Sequence, residues 1–162
     1  MVVIWNKEDK NGSIILQTKD MSSSYIENEG NGHISIKPLL PEAQAAPVFG
    51  MMSEDVDGDG NLDLLMVGND YGMEPYSGRH DASNGLCLQG DGEGGFRSLP
   101  PHPSGFLVTG DAKGLAMIHT AKKQDVYIYT QNPHRPAYYT QTNTPPTNTL
   151  KCTSRQPPTL TA

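Results

Sequence analysis

The feature that most constrains this chain is an acidic loop at residues 55–63, with the sequence DVDGDGNLD. Four of its nine residues are aspartates, and Asp55, Asp57 and Asp59 alternate along the chain. Carboxylates at this spacing repel one another in a compact structure unless a cation lies between them. The two glycines of the loop provide the positive φ angles that a tight curl around a cation needs. The pattern therefore predicts a cation-binding loop.

The ligand chemistry and the end of the loop narrow the type of site. Carboxylate oxygens at this density favour Ca²⁺, because Zn²⁺ prefers nitrogen and sulfur and Mg²⁺ retains its waters. The start matches the EF-hand pattern, but Met66 occupies the position of the bidentate glutamate, which excludes an EF-hand. The loop instead ends at Asp63, and the apolar residues 64–67 predict a buried strand. The alternative is a plain hairpin turn, which Asp-Gly and Gly-Asn also favour.

Length and charge limit the classes of protein to consider. The chain has 162 residues, about the size of one domain, and 12 basic against 18 acidic residues give a net charge of −6. The basic residues form no cluster, which argues against nucleic acid and anionic membranes as partners. No apolar run is long enough to span a membrane, and residues 1–5 are too short for a signal-peptide core. Cys87, in a predicted strand, is interpreted as a buried thiol and Cys152 as a tail thiol.

Similar segments recur along the chain at an interval of about 63 residues. Three apolar runs end in asparagine, at Asn6, Asn69 and Asn132. The glycine-rich residues 28–34 recur as residues 90–96. Short strands separated by turn residues fill each unit, and no long window has a helical period. Four short strands per unit predict the blades of a β-propeller.

The two units differ at the acidic loop. A further register pairs residues 48–52 with residues 114–118, and residues 118–125 take the place of the loop in the second unit. Of the acidic pattern this second loop keeps only Asp125. The sequence therefore predicts one calcium loop.

Loop 55–63 with the strand after it resembles the FG-GAP/VCBS repeat of bacterial extracellular β-propellers, a family similar to the integrin α-subunit propeller. Other segments resemble VCBS-repeat proteins of the kind that carry ASPIC/UnbV-like domains, namely residues 40–47, 68–72, 78–85 and 104–112. The resemblance covers roughly residues 20 to 135.

The resemblance implies a ligand set and a role. The calcium ligands would be the side chains of Asp55, Asp57, Asp59 and Asp63 and the main-chain carbonyl of Asn61, all of which are present. It also implies an extracellular, cell-surface or periplasmic location and a binding or scaffold role such as adhesion. The partners it implies are neighbouring blades, from the same parent chain or other copies, and a protein or carbohydrate ligand.

The predicted fold is all-β, an incomplete β-propeller of about two four-stranded blades. The blades are predicted at residues 1–139, followed by a disordered Thr/Pro-rich tail at residues 140–162. Two or three blades cannot close a ring, because each blade packs on neighbours at both sides. We therefore expect either part of a longer protein or assembly with other chains.

The long connection at residues 70–84 is the candidate for ligand recognition, since ordered loops on rigid scaffolds often carry binding residues. Its candidate ligand-binding residues are Tyr71, Arg79, His80 and Asp81. The alternative is a crossover between two blades. Ser83 beside them completes the residue types of a hydrolytic triad, but neighbours in sequence rarely converge on one site.

The predicted function is a calcium-stabilised repeat module with a binding or scaffold role, and not an enzyme. Two alternatives stay open. One is the catalytic or non-catalytic propeller portion of a secreted polysaccharide-acting enzyme, which should carry a second charged cluster facing a groove. The other is a truncated fragment without independent function.

Overall fold

The computed structural model describes residues 12, 14, 16–121, 125–132 and 136–140. Within them the fold is all-β, as predicted, with nine strands in three antiparallel sheets and two helices of a single turn each. None of the three sheets closes on itself, and the propeller ring stays a prediction. The apolar run that ends at Asn6 and residues 141–162 of the predicted tail lie outside the described residues.

Each sheet is a simple up-and-down arrangement of consecutive strands. The first sheet contains β1 (Ser24–Gly30) and β2 (His33–Pro38). The second contains, in order, β3 (Val48–Glu54), β4 (Asp63–Gly68), β5 (Leu86–Gly90) and β6 (Phe96–Leu99). The third contains β7 (Asp111–His119), β8 (Asp125–Asn132) and β9 (Ala137–Thr140). One sheet therefore has the four strands predicted for a blade, and β9 includes the first residue of the predicted tail.

A single helical turn precedes the second sheet, and another precedes the third. They are a 3₁₀ turn at Pro41–Gln44 and an α-helical turn at Pro101–Ser104, each beginning with a proline. Proline suits this position because its missing N–H would have no partner there and its φ angle is already helical. Each turn leads the chain from the last strand of one sheet to the first strand of the next.

Strand β4 is buried on both faces, which explains its uninterrupted run of apolar residues. Leu65 and Val67 point into the main core, which lies between the second and third sheets and includes Tyr127 and Tyr139. Met66, on the opposite face, belongs to a second cluster with Ala43 and Leu88. The alternation follows from the two-residue period of a strand. The predicted buried strand is thus confirmed.

The second and third sheets pack side by side, with β7 against β3 and β4. Gly50 marks the close approach, since a Cβ there would lie 2.7 Å from the backbone nitrogen of Leu115. Only a residue without a side chain allows the two backbones to come this near.

The β3–β4 and β7–β8 hairpins share one irregularity. The register shifts between Val48 and Gly50 in β3, and between Ala112 and Gly114 in β7. If the two bulges are equivalent, Gly50 corresponds to Gly114, two residues from the predicted pairing of residues 48–52 with residues 114–118. That the two hairpins are copies of one repeat stays a prediction.

Candidate metal centre and ligand loop

The acidic loop connects β3 to β4, which are adjacent antiparallel strands of the second sheet. Asp63, the last residue of the loop pattern, is the first residue of β4 and pairs with Glu54. The loop therefore connects two adjacent strands of one sheet.

Backbone N–H groups hold the loop around the side chain of Asp55. Its Oδ1 accepts hydrogen bonds from the N–H groups of Gly58 at 2.7 Å and Asp59 at 3.1 Å. Its Oδ2 accepts one from Gly60 at 3.0 Å. Both glycines have positive φ angles, +79° and +91°, which explains why the sequence has glycine at these positions. The local sequence thus encodes the curl of the loop.

Three carboxylates converge inside this curl. Asp55, Asp57 and Asp63 each offer an oxygen, and these oxygens lie within 4.8 Å of one another. Asp63 is fully buried, at 0% exposure, and the other two are half-buried. A group of hard oxygen atoms at this spacing can hold a metal ion.

The other two predicted ligands lie beside this cluster. Asp59 is exposed, and its Oδ1 accepts a hydrogen bond from the backbone N–H of Asn61 at 2.8 Å. In the described part of the chain, the three-carboxylate cluster does not include Asp59. Ligation by Asp59 and by the carbonyl of Asn61 stays a prediction.

The electrostatic environment of Asp63 is unfavourable for a third negative charge. Burial raises the pKa of its carboxyl above the ordinary value, and the charges of Asp57 and Asp59 raise it further. Hydrogen bonds from the N–H groups of Val56 at 3.0 Å and Gly90 at 2.9 Å oppose this shift. A cation among the carboxylates would remove the repulsion, so the donor set is suited to a metal ion.

Two residues that the sequence reasoning missed support Asp57 from the neighbouring strands. The Nε2 of Gln89 in β5 donates a hydrogen bond to Asp57 Oδ2, and Arg97 in β6 donates one to the Oε1 of Gln89. Gln89 lies 32 residues from Asp57 in the chain. No local pattern could have indicated it, because the contact depends on the pairing of β4 with β5.

The predicted ligand loop connects β4 to β5 within the second sheet, so its interpretation as a crossover between blades is wrong. Asn69 closes the base of this loop. Its side chain exchanges hydrogen bonds with the backbone of Ser83, at 2.7 and 2.9 Å, and donates another to the carbonyl of Gly110 at 2.9 Å. These bonds hold the two ends of the loop together and attach them to the start of the third sheet.

The four candidate residues of the loop are brought together by two contacts with Tyr71 and one strand-like bridge. The Tyr71 hydroxyl donates a hydrogen bond to Asp81 Oδ1 at 2.7 Å, and the Arg79 guanidinium lies 4.8 Å from the Tyr71 ring centre. The backbones of His80 and Asp70 exchange two hydrogen bonds of 2.9 Å. Ser83 Oγ accepts a hydrogen bond from Gly85, so its hydroxyl faces its own backbone turn.

Lys113 of β7 is a further residue at the base of this loop. Its Nζ lies 2.7 Å from Asp111 and 3.4 Å from Asp70, and it donates to the carbonyl of Asn69 at 3.1 Å. It also lies 3.7 Å from the ring centre of Phe49. One cation therefore connects the ligand loop to both packed sheets.

Comparison with known proteins and a search for membrane-spanning helices do not assign a function to the chain. No helix in the described residues is long and apolar enough to cross a membrane. No protein-family profile matches the chain, and neither curated proteins nor solved structures show a significant match to it.

Proposed function

We propose that this chain is a calcium-stabilised β-propeller repeat module of the FG-GAP/VCBS type, with a binding or scaffold role outside the cytoplasm. One observation carries the proposal: the convergence of Asp55, Asp57 and Asp63 within 4.8 Å, with Asp63 fully buried. Hard oxygen donors at this density suit calcium among the common biological cations.

The role of calcium would be structural. Asp63 accepts hydrogen bonds from Val56 in the loop and from Gly90 in β5, so its carboxylate connects the loop to this strand. A cation would cancel the repulsion among the three carboxylates and hold the β3–β4 loop against β5. Calcium outside cells, on the order of a millimolar, would keep even a site of modest affinity occupied.

The packing of the second and third sheets supports the propeller part of the proposal. The two sheets lie side by side, and each begins with a bulged strand that follows a proline-initiated helical turn. Consecutive blades of a propeller have this relationship, because each blade covers the face of the next. The remaining neighbours would be blades of a longer parent chain or of other copies.

Thermal unfolding in calcium and in chelator tests whether the acidic loop binds calcium. With calcium at about one hundred times its dissociation constant, the wild type should gain about 2.7 kcal/mol, or roughly 5–10 °C. Asp57→Asn should lose this gain. In chelator it should melt no lower than wild type, because the substitution removes a charge that repels Asp63.

A matched control lies in another turn of the same sheet. Asp91 accepts hydrogen bonds from the N–H groups of Glu93 and Gly95 in the β5–β6 hairpin. Asp91→Asn removes the same charge and should keep the full calcium gain. A wild type that calcium does not stabilise, or an Asp57→Asn variant that keeps the gain, would contradict the proposal.

A further inference from the structure

A surface cleft of about 540 Å³ lies beside the ligand loop, away from the acidic cluster. Arg79, His80 and Asp81 line one wall, and the small residues 45–47 line another. Clefts of this size accommodate small-molecule ligands, including one or two sugar rings.

Arg79 presents a positive charge to this cleft. Its guanidinium carbon lies 4.8 Å from the centre of the Tyr71 ring, a cation–π contact. Among the described residues no hydrogen bond or ion pair involves its N–H groups, so these donors are available for a carboxylate. The contact with Tyr71 holds the guanidinium beside the cleft.

Asp81 presents an acceptor next to this donor. The Tyr71 hydroxyl donates to its Oδ1, which leaves the second carboxylate oxygen available. The backbone bridge between His80 and Asp70 holds this segment in place. One tyrosine thus positions a cationic donor and an anionic acceptor at the same wall.

Among the residues that line the cleft, the ionisable side chains are those of Arg79, His80 and Asp81. The neighbouring Asp70 pairs with Lys113 of β7. A ligand in the cleft therefore meets one guanidinium, one imidazole and one carboxylate.

We propose that the cleft binds a small carboxylated polyhydroxy ligand of the uronic acid type. Its carboxylate would pair with Arg79, and its hydroxyls would hydrogen-bond to Asp81 and His80. A wall with both a cationic donor and a carboxylate acceptor matches such a ligand better than a simple anion, because a simple anion has no hydroxyl to donate to Asp81. The inference gives a ligand class to the binding role proposed above and does not depend on the metal.

Calorimetric titration of the full chain with glucuronate, glucose and acetate at constant ionic strength tests the proposal. We expect glucuronate to bind at least about tenfold more tightly than glucose or acetate, since each lacks one half of the contacts. Arg79→Gln should weaken glucuronate binding at least about tenfold and leave glucose binding unchanged. Lys37→Gln, the same charge change on β2, should bind as the wild type does.

Three results would overturn the cleft assignment: no binding of glucuronate, equal binding of acetate and glucuronate, or an Arg79→Gln variant that binds glucuronate normally. Melting curves of every variant verify that it is folded. Asp57→Asn should still bind glucuronate, in calcium or in chelator. If calcium does not stabilise the wild type but glucuronate still binds, only the proposed calcium site is overturned. If calcium stabilises the wild type but glucuronate does not bind, only the proposed ligand cleft is overturned.

Discussion

The backbone N–H of Gly90 donates a hydrogen bond of 2.9 Å to Oδ1 of Asp63, a residue 27 positions earlier in the chain. Oδ2 of the same carboxylate accepts a hydrogen bond from Val56 at 3.0 Å. One buried side chain therefore joins the acidic loop, β4 and β5. Because of this connection, substitutions in the cluster of Asp55, Asp57 and Asp63 should alter the stability of the whole second sheet.

Gln89→Leu should weaken calcium binding about tenfold, the usual effect of losing a residue that positions a metal ligand. The substitution removes the hydrogen bond from Gln89 to Asp57 and leaves the carboxylates intact. Competition with a chromophoric chelator measures the affinity. Glu93→Gln, at an exposed site in the neighbouring hairpin, is the control and should bind calcium normally. Equal affinities of the two variants would show that Gln89 does not position Asp57.

Cys87 should resist thiol reagents until the protein unfolds. Burial, together with the negative charges of Asp63 and Asp57, raises the pKa of its thiol to about 12, so the reactive thiolate is scarce at neutral pH. Labelling is best followed in a Cys152→Ser background, where Cys87 is the only thiol. At about one hundred times the dissociation constant, calcium should slow labelling by roughly one hundredfold when refolding outpaces the reagent. Labelling as fast as that of a free peptide would contradict the burial of Cys87.

Gly50→Ala should destabilise the protein by about 1–3 kcal/mol, the usual cost of forcing an extra carbon into a packed site. The new Cβ would lie 2.7 Å from the backbone nitrogen of Leu115 and would separate β3 from β7. Gly72→Ala is the matched control, because a Cβ there would make only an ordinary contact of 3.4 Å. Urea unfolding compares the two. Equal midpoints would mean that the two sheets do not need this close approach.

His119 should titrate above its ordinary pKa of about 6.5. Its Nδ1 lies 2.7 Å from Asp125 Oδ1, and this hydrogen bond, with the negative charge of Asp125, raises the pKa. The pair therefore stabilises the fold fully below the unfolded pKa, and this contribution is lost as the pH rises through the folded pKa. The imidazole is exposed, so we expect a small effect that salt screens.

An NMR titration of the His119 ring measures this shift. Asp125→Asn should return the pKa towards 6.5, and Asp91→Asn, a charge removed elsewhere, should leave it raised. Identical titrations of wild type and Asp125→Asn would contradict the pairing.

Much of the acidic loop could be predicted because its structure depends on close neighbours. Asp55 is bonded to N–H groups within five residues, and the glycines with positive φ lie in the same stretch. The buried strand that follows could be predicted for the same reason, since its apolar residues are contiguous. The support from Gln89 and the link to Gly90 could not, because strand pairing joins residues far apart in the chain.

The ligand loop also has some features that the sequence predicts and others that depend on strand pairing. Its length and its residues Tyr71, Arg79, His80 and Asp81 were visible in the sequence, but the strands that it connects were not. The crossover interpretation was wrong because a long connection in the chain can still join adjacent strands when its ends are held together. Here Asn69, Ser83 and Gly110 hold them.

The sequence by itself determined the all-β character, the position of the acidic loop and the local curl of the backbone around Asp55. These features depend on strand periodicity, on turn residues and on hydrogen bonds between near neighbours. Only the tertiary structure decided that Asp63 is fully buried, that Gly50 lies against Leu115 and that Arg79 and Asp81 share one cleft. Those relationships arise from the packing of sheets whose strands are distant in the chain, and local sequence patterns carry no information about such packing.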